Sequence, residues 1–124
     1  MKPEELAETL GRLADDKKAA DIVVMDLEGL TDIADYFVIA GGTSERHVRT
    51  IADGIREGMK ESKVRPAASE GYDEGRWVIL DFQSVIVHIF LGSLRELYDL
   101  ESLWLEAKKY RIKKEKKGVE VGNE

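Results

Sequence analysis

Residues 75–90, GRWVILDFQSVIVHIF, constrain the fold more than any other stretch. Two short runs rich in Val, Ile and aromatic residues meet at Gln83-Ser84. Each is too short for a core helix, and β-branched residues at alternating positions favour strands, so the pair reads as a β-hairpin. With a two-residue tip, Phe82 faces Val85, Asp81 faces Ile86, Ile79 faces His88 and Trp77 faces Phe90. Side chains alternate along a strand, so this register sorts them into two faces. One face carries Val78, Leu80, Phe82, Val85, Val87, Ile89 and Leu91, all apolar, and needs a layer packed against it. The other carries Trp77, Ile79, Asp81, Ile86, His88 and Phe90.

A carboxylate and an imidazole on that second face admit three readings. Asp81 and His88 are diagonal neighbours, roughly 7–8 Å apart in such a ladder, close enough for a water-bridged pair. They form a catalytic dyad, a satisfied polar pair beneath a covering segment, or part of a surface kept for a partner. No nucleophile is placed beside them by the sequence. Aromatic anchors with a few fixed polar groups suit a binding surface.

The remaining chain supplies the layers. Pro3 suits a first helical turn, and Leu6, Leu10, Leu13 and Ala14 recur at helical spacing, which predicts a helix over 3–19. The stretches 21–27 (DIVVMDL) and 36–42 (YFVIAGG) read as strands. Ser44 caps a helix in which Val48, Ile51, Ala52, Ile55 and Met59 form one stripe, ending near Ser62 because Pro66 disfavours helix at Arg65. AASEG (67–71) reads as a short edge strand. SLRE (93–96) has the spacing of a capping box, and DLESLWLEAKKY (99–110) is expected to continue helically from an Asp99 cap. The expected architecture is α/β: a single domain with a mixed sheet and helices packed on one face, over residues 1–107.

Composition narrows the functions. The chain of 124 residues is one domain's length and has no cysteine, which removes disulfides and thiolate metal sites. The acidic start MKPEELAETL resembles neither a signal nor a transit peptide, and no apolar run is long enough to span a bilayer. A cytoplasmic protein without a membrane role is the expectation. Charge is uneven: before residue 108 stand 12 Lys or Arg against 22 Asp or Glu, whereas KKYRIKKEKK (108–117) has seven cations and only Glu115 opposing. The acidic body suits a basic protein partner better than a phosphate backbone. The tail, 108–124, is expected to be flexible, with nucleic acid as its contact.

One enzyme motif needs weighing. Gly41-Gly42-Thr43-Ser44 ends a strand and opens a helix, where backbone N–H groups are able to hold an anion. A nucleotidyl-transferring enzyme with such a turn also needs paired carboxylates for two metal ions. Asp81 stands alone on the corresponding strand, with Asp73 and Glu74 in the preceding loop. His47 has no second imidazole at ligand spacing. A binding module is favoured, with no catalytic residue, metal or cofactor; a nucleotide-binding or nucleotidyl-transferring enzyme is the alternative.

Taken as a set, DIADYFVIAGGTSERHVRTIAD (32–53), EGYDEGRWVILDFQSVIVHIF (70–90) and RELYDLESLW (95–104) resemble the Iojap-like ribosomal silencing factors. The family commonly has Gly-Asp at the hairpin tip, where Gln83-Ser84 stands here. The resemblance implies a nucleotidyltransferase-like fold lacking the catalytic acids. It also implies a translational repressor that binds the large ribosomal subunit through large-subunit ribosomal protein fourteen. The bound factor blocks joining of the small subunit and lowers translation under nutrient limitation. Joined to the face analysis, it implies a docking surface in which Trp77, Tyr98 and Leu100 anchor. Glu70, Asp81, His88 and Glu101 would pair with cationic or amide groups, and Arg95 lies in the same segment. With a ribosomal partner, the basic tail's expected contact is ribosomal RNA, and a homodimer through the mixed face is a further expectation, since exposed apolar patches often mark such contacts.

Overall fold

A computed structural model describes residues 1–112, and its sheet is organised around one strand buried on both sides. The chain runs α1 (Pro3–Asp16), β1 (Ala20–Asp26), β2 (Tyr36–Gly42), α2 (Glu45–Lys60), β3 (Ala68–Glu70), β4 (Trp77–Asp81), β5 (Val85–Leu91), α3 (Leu94–Tyr98), a 3₁₀ turn (Leu100–Ser102) and β6 (Lys108–Arg111). The strand order is β3-β4-β5-β2-β1-β6. Only β2 and β5 pair in parallel, joined by a crossover through α2; the other neighbours are antiparallel. All seven residues of β2 are buried, which explains its uninterrupted apolar run.

The expected hairpin register is observed residue for residue, from Trp77 opposite Phe90 to Asp81 opposite Ile86. Its tip is held by two devices. Phe82 N–H donates to the Val85 carbonyl at 2.9 Å, and Gln83 N–H donates to Asp81 Oδ1 at 2.7 Å. Gln83 takes a left-handed φ of 74°, so the carboxylate of Asp81 supports a conformation that glycine would adopt without help.

The apolar face of the hairpin packs with α1 and α2 into the main core, where Leu10, Ile51, Ile55, Met59, Leu80 and Ile89 are fully buried. Ser44 caps α2 as expected, its Oγ accepting from His47 N–H at 3.0 Å. The helix α1 ends earlier than expected. Lys18 turns left-handed (φ 64°), and Ala19 N–H returns to the Ala14 carbonyl, which aims the chain into β1.

The C-terminal region departs from the sequence reading. Ser93 is not a side-chain cap, and α3 lasts five residues because Asp99 goes left-handed (φ 44°). Asp99 Oδ2 instead takes the Ser102 hydroxyl at 2.7 Å. In place of a long helix, the chain makes a 3₁₀ turn and then adds β6 to the free edge of β1. Alternation overrides the helical pattern here. Ala107 faces the second side of the sheet and Ile112 the first, where its side chain fills the space that Gly11 leaves open. The basic stretch expected as tail therefore begins inside the sheet, and its residues 113–124 lie outside the described part.

Candidate functional site

The second face of the sheet is built from Val23, Met25 and Leu27 on and after β1, Phe37 and Ile39 on β2, and Phe90 on β5. A segment strung between β5 and β6 covers it, with Leu94, Leu100 and Trp104 packing inward. That cover lies over the β1–β2–β5 part. Toward β4 the face opens, leaving Trp77, Ile79, Asp81 and Ile86 only partly buried.

An aromatic column runs from the interior to this opening. Trp77 stacks on fully buried Phe90 at 4.9 Å between centroids, and Tyr98 lies over Trp77 at 4.6 Å. Tyr98 retains 50% of its surface. Such ring pairs contribute about 0.5–1.5 kcal/mol each beyond area burial, so the column presents aromatic surface in a fixed position.

His88 sets the orientation of Trp77. Its Nδ1 accepts the indole Nε1–H at 3.2 Å, and Phe37 meets its ring edge-on at 4.6 Å. Only 6% of His88 is exposed, and burial lowers its pKa from 6.5 to about 4. The imidazole is therefore neutral near pH 7. Because Nδ1 is the acceptor, the proton sits on Nε2, which has no hydrogen-bond partner among the described residues.

Asp81 and His88 do not meet. The carboxylate turns to the hairpin tip and the imidazole to Trp77. The dyad and the satisfied-pair readings both give way to two separate placements, with Asp81 Oδ1 at the hairpin tip and His88 behind Trp77. Glu70 lies opposite Ile79 and shares its face, so Glu70 and Asp81 give the open side an acidic rim. Arg95 and Glu101 bond each other in two places, at 3.2 and 3.3 Å, while Arg95 Nη1 reaches the Asp21 carbonyl. Together they clamp the covering segment to β1. Leu100 points inward as part of that cover.

The structure also shows surface that the sequence reading missed. Leu97, Leu103 and Leu105 stand 73%, 61% and 78% exposed on the same segment as Tyr98. A helix over 99–110 would have placed Leu103 with Leu100 and Ala107 on one inward stripe. The 3₁₀ turn breaks that stripe and turns Leu103 out.

The glycine turn is spent on its own geometry. Thr43 N–H donates to His47 Nδ1 at 2.9 Å, and His47 N–H to Ser44 Oγ. His47 Nε2 in turn reaches the Lys17 carbonyl at 2.8 Å, tying the start of α2 to the end of α1. A Cβ on Gly42 would come within 2.7 Å of Val48, so that glycine serves close packing. Among the described residues, no cluster of three His, Cys, Asp or Glu side chains is placed to hold a metal ion.

Fold and face together define a small α/β protein with a mixed six-stranded sheet, one sealed side and one partly open aromatic side. A crystal structure of a Chromobacterium violaceum protein shares this fold, with TM-score 0.81 and 31% identity over 98% of this chain and 95% of the other. A Bacillus halodurans structure matches at TM-score 0.74 and 36% identity, over 82% and 94%. The chain belongs to the ribosomal silencing factor family: the model of "ribosomal silencing factor during starvation" matches residues 1–123. Ribosomal silencing factor RsfS of Bacillus subtilis is 38% identical over 107 residues, spanning 86% of this chain and 91% of its own. Among organellar relatives, the mouse protein named mitochondrial assembly of ribosomal large subunit protein 1 is 36% identical over 91 residues, 71% of this chain and 40% of its own.

Proposed function

We propose that this protein is a cytoplasmic, non-enzymatic translational repressor. It binds the large ribosomal subunit through large-subunit ribosomal protein fourteen and blocks joining of the small subunit when nutrients are limited. The observation that carries the reading is the open aromatic column of a ribosomal silencing family member, Trp77 beneath Tyr98, with three exposed leucines on the segment that carries Tyr98. Such a cluster has the chemistry of an interface centre, with aromatic anchors and a charged rim. The acidic rim of Glu70 and Asp81 suits a basic ribosomal protein. The mouse relative's name, which refers to the ribosomal large subunit, agrees with that partner.

Within this reading the eight residues divide by role. Trp77, Tyr98, Glu70 and Asp81 meet the partner; His88, Leu100, Arg95 and Glu101 hold the surface in shape. Binding of purified ribosomal protein fourteen to the immobilised protein tests it. Wild type is expected to capture the ribosomal protein and isolated large subunits. Tyr98→Ala, half exposed and outside the core, is expected to weaken capture at least tenfold while the chain still unfolds cooperatively, its melting temperature lowered by only a few degrees. Equal capture by the variant would remove the column from the interface, and no capture by wild type would remove the partner.

A further inference from the structure

On the opposite side of the β3 edge lies a second surface of different chemistry. The end of α2, the following loop and β3 enclose a cleft of about 410 Å³ lined by Val64, Pro66, Ala67 and Ala68, with Arg56, Lys60, Arg65 and Ser69 around it. Three cations around an apolar floor are unusual on a body with 22 acidic residues before position 108. Their partners matter more than their number. The Arg56 guanidinium donates to Ser69 Oγ and lies 5.4 Å from the centre of the Tyr72 ring. A hydroxyl and an aromatic face fix its position, and the carboxylate of Asp53, one turn earlier on α2, is taken up by the Tyr72 hydroxyl at 3.0 Å. Among the described residues, neither Arg56 nor Arg65 has a carboxylate within ion-pair distance, and Lys60 has only the exposed Glu57.

A preorganised arginine with no carboxylate within ion-pair distance is suited to a phosphate, and the small apolar floor is suited to the flat side of a base. We infer that this cleft binds a nucleotide unit of RNA, its phosphate held by Arg56, Lys60 and Arg65 and its base set against Val64 and Pro66. The cleft sits around the β3 edge from Trp77 and Ile79. A partner that combines a basic protein with adjacent RNA would engage both surfaces at once. The inference rests on the ribosomal reading only for the source of the RNA, because the cleft's chemistry stands without it.

Fluorescence anisotropy of a labelled single-stranded RNA of mixed sequence, across a salt series with the full chain, tests it. One phosphate neutralised in the cleft predicts a slope of log K against log salt that is steeper by about 0.7 in wild type than in a chain without the cleft's cations. The variant Arg56→Gln/Lys60→Gln/Arg65→Gln is expected to bind at least tenfold more weakly, with its melting temperature preserved. Lys113→Gln/Lys114→Gln/Lys116→Gln/Lys117→Gln is expected to bind as wild type does. Undiminished binding by the cleft variant, loss confined to the tail variant, or no binding by wild type at low salt would each overturn the inference. Tyr98→Ala separates the two surfaces: it is expected to bind this RNA normally while losing the ribosomal protein.

Discussion

The two faces of the sheet begin from the same strands yet are finished differently. On one, α1 and α2 seal Val78, Leu80, Val87 and Ile89 completely. On the other, a short irregular segment covers the centre and stops before β4, so Trp77, Ile79 and Ile86 stay partly open. Adjacent residues of one strand thus serve different ends. The sealed face carries stability, and the half-sealed one has apolar surface left over, for which a partner is the natural cover.

The sharpest way to break this contrast is to truncate neighbours on β4. Leu80→Ala, on the sealed face, is expected to destabilise by about 2–5 kcal/mol in chemical denaturation. Ile79→Ala is expected to cost about 1 kcal/mol or less and to weaken ribosomal binding instead. Equal stability losses would mean that both faces are ordinary core.

His88 gives a pH test of how the open face is supported. Its pKa is about 4 when folded and 6.5 as the ordinary value, so between these the unfolded chain binds the extra proton. The contribution of neutral His88 is therefore complete above pH 6.5 and is lost as pH falls toward 4. Its ceiling is about 3 kcal/mol. Protonation also puts a donor on Nδ1, facing the Trp77 indole N–H. Denaturation at pH 7.5, 5.5 and 4.5, wild type against His88→Gln, isolates this share from that of the carboxylates. Curves that stay parallel at all three values would show that His88 does not titrate as a buried group.

Smaller effects separate clamp from surface. Arg95→Met leaves the partly buried Glu101 of the covering segment unpaired and is expected to cost about 2 kcal/mol, with faster hydrogen exchange over 94–107. Leu103→Ser, on exposed surface, is expected to change stability by about 0.5 kcal/mol or less while lowering subunit binding several-fold. A large stability loss at Leu103 would return it to the core.

How much of this was legible depended on whether periodicity alone decided the local structure. It did in the hairpin, where strict alternation gave the register, the sealed face and the mixed face. It also did in α2, where a five-residue apolar stripe followed a serine cap. It failed after Tyr98, because Leu100, Leu103, Trp104 and Ala107 fit a helical stripe as well as they fit a turn followed by a strand. The edge left open by β1 decided between them, and that edge is a tertiary fact. The same limit applies to Asp81 and His88. Their shared face was readable, but their turning apart depended on a left-handed Gln83 and on an indole within reach, neither of which periodicity reports.

The central claim is that the partly open face docks on the large subunit and keeps the small one away. Sedimentation of mixed purified subunits with increasing protein tests it most directly. Wild type is expected to shift intact ribosomes to free subunits, whereas folded Tyr98→Ala at the same concentrations is expected to leave them joined. Intact ribosomes persisting with saturating wild type, or Tyr98→Ala separating subunits as well as wild type, would contradict it.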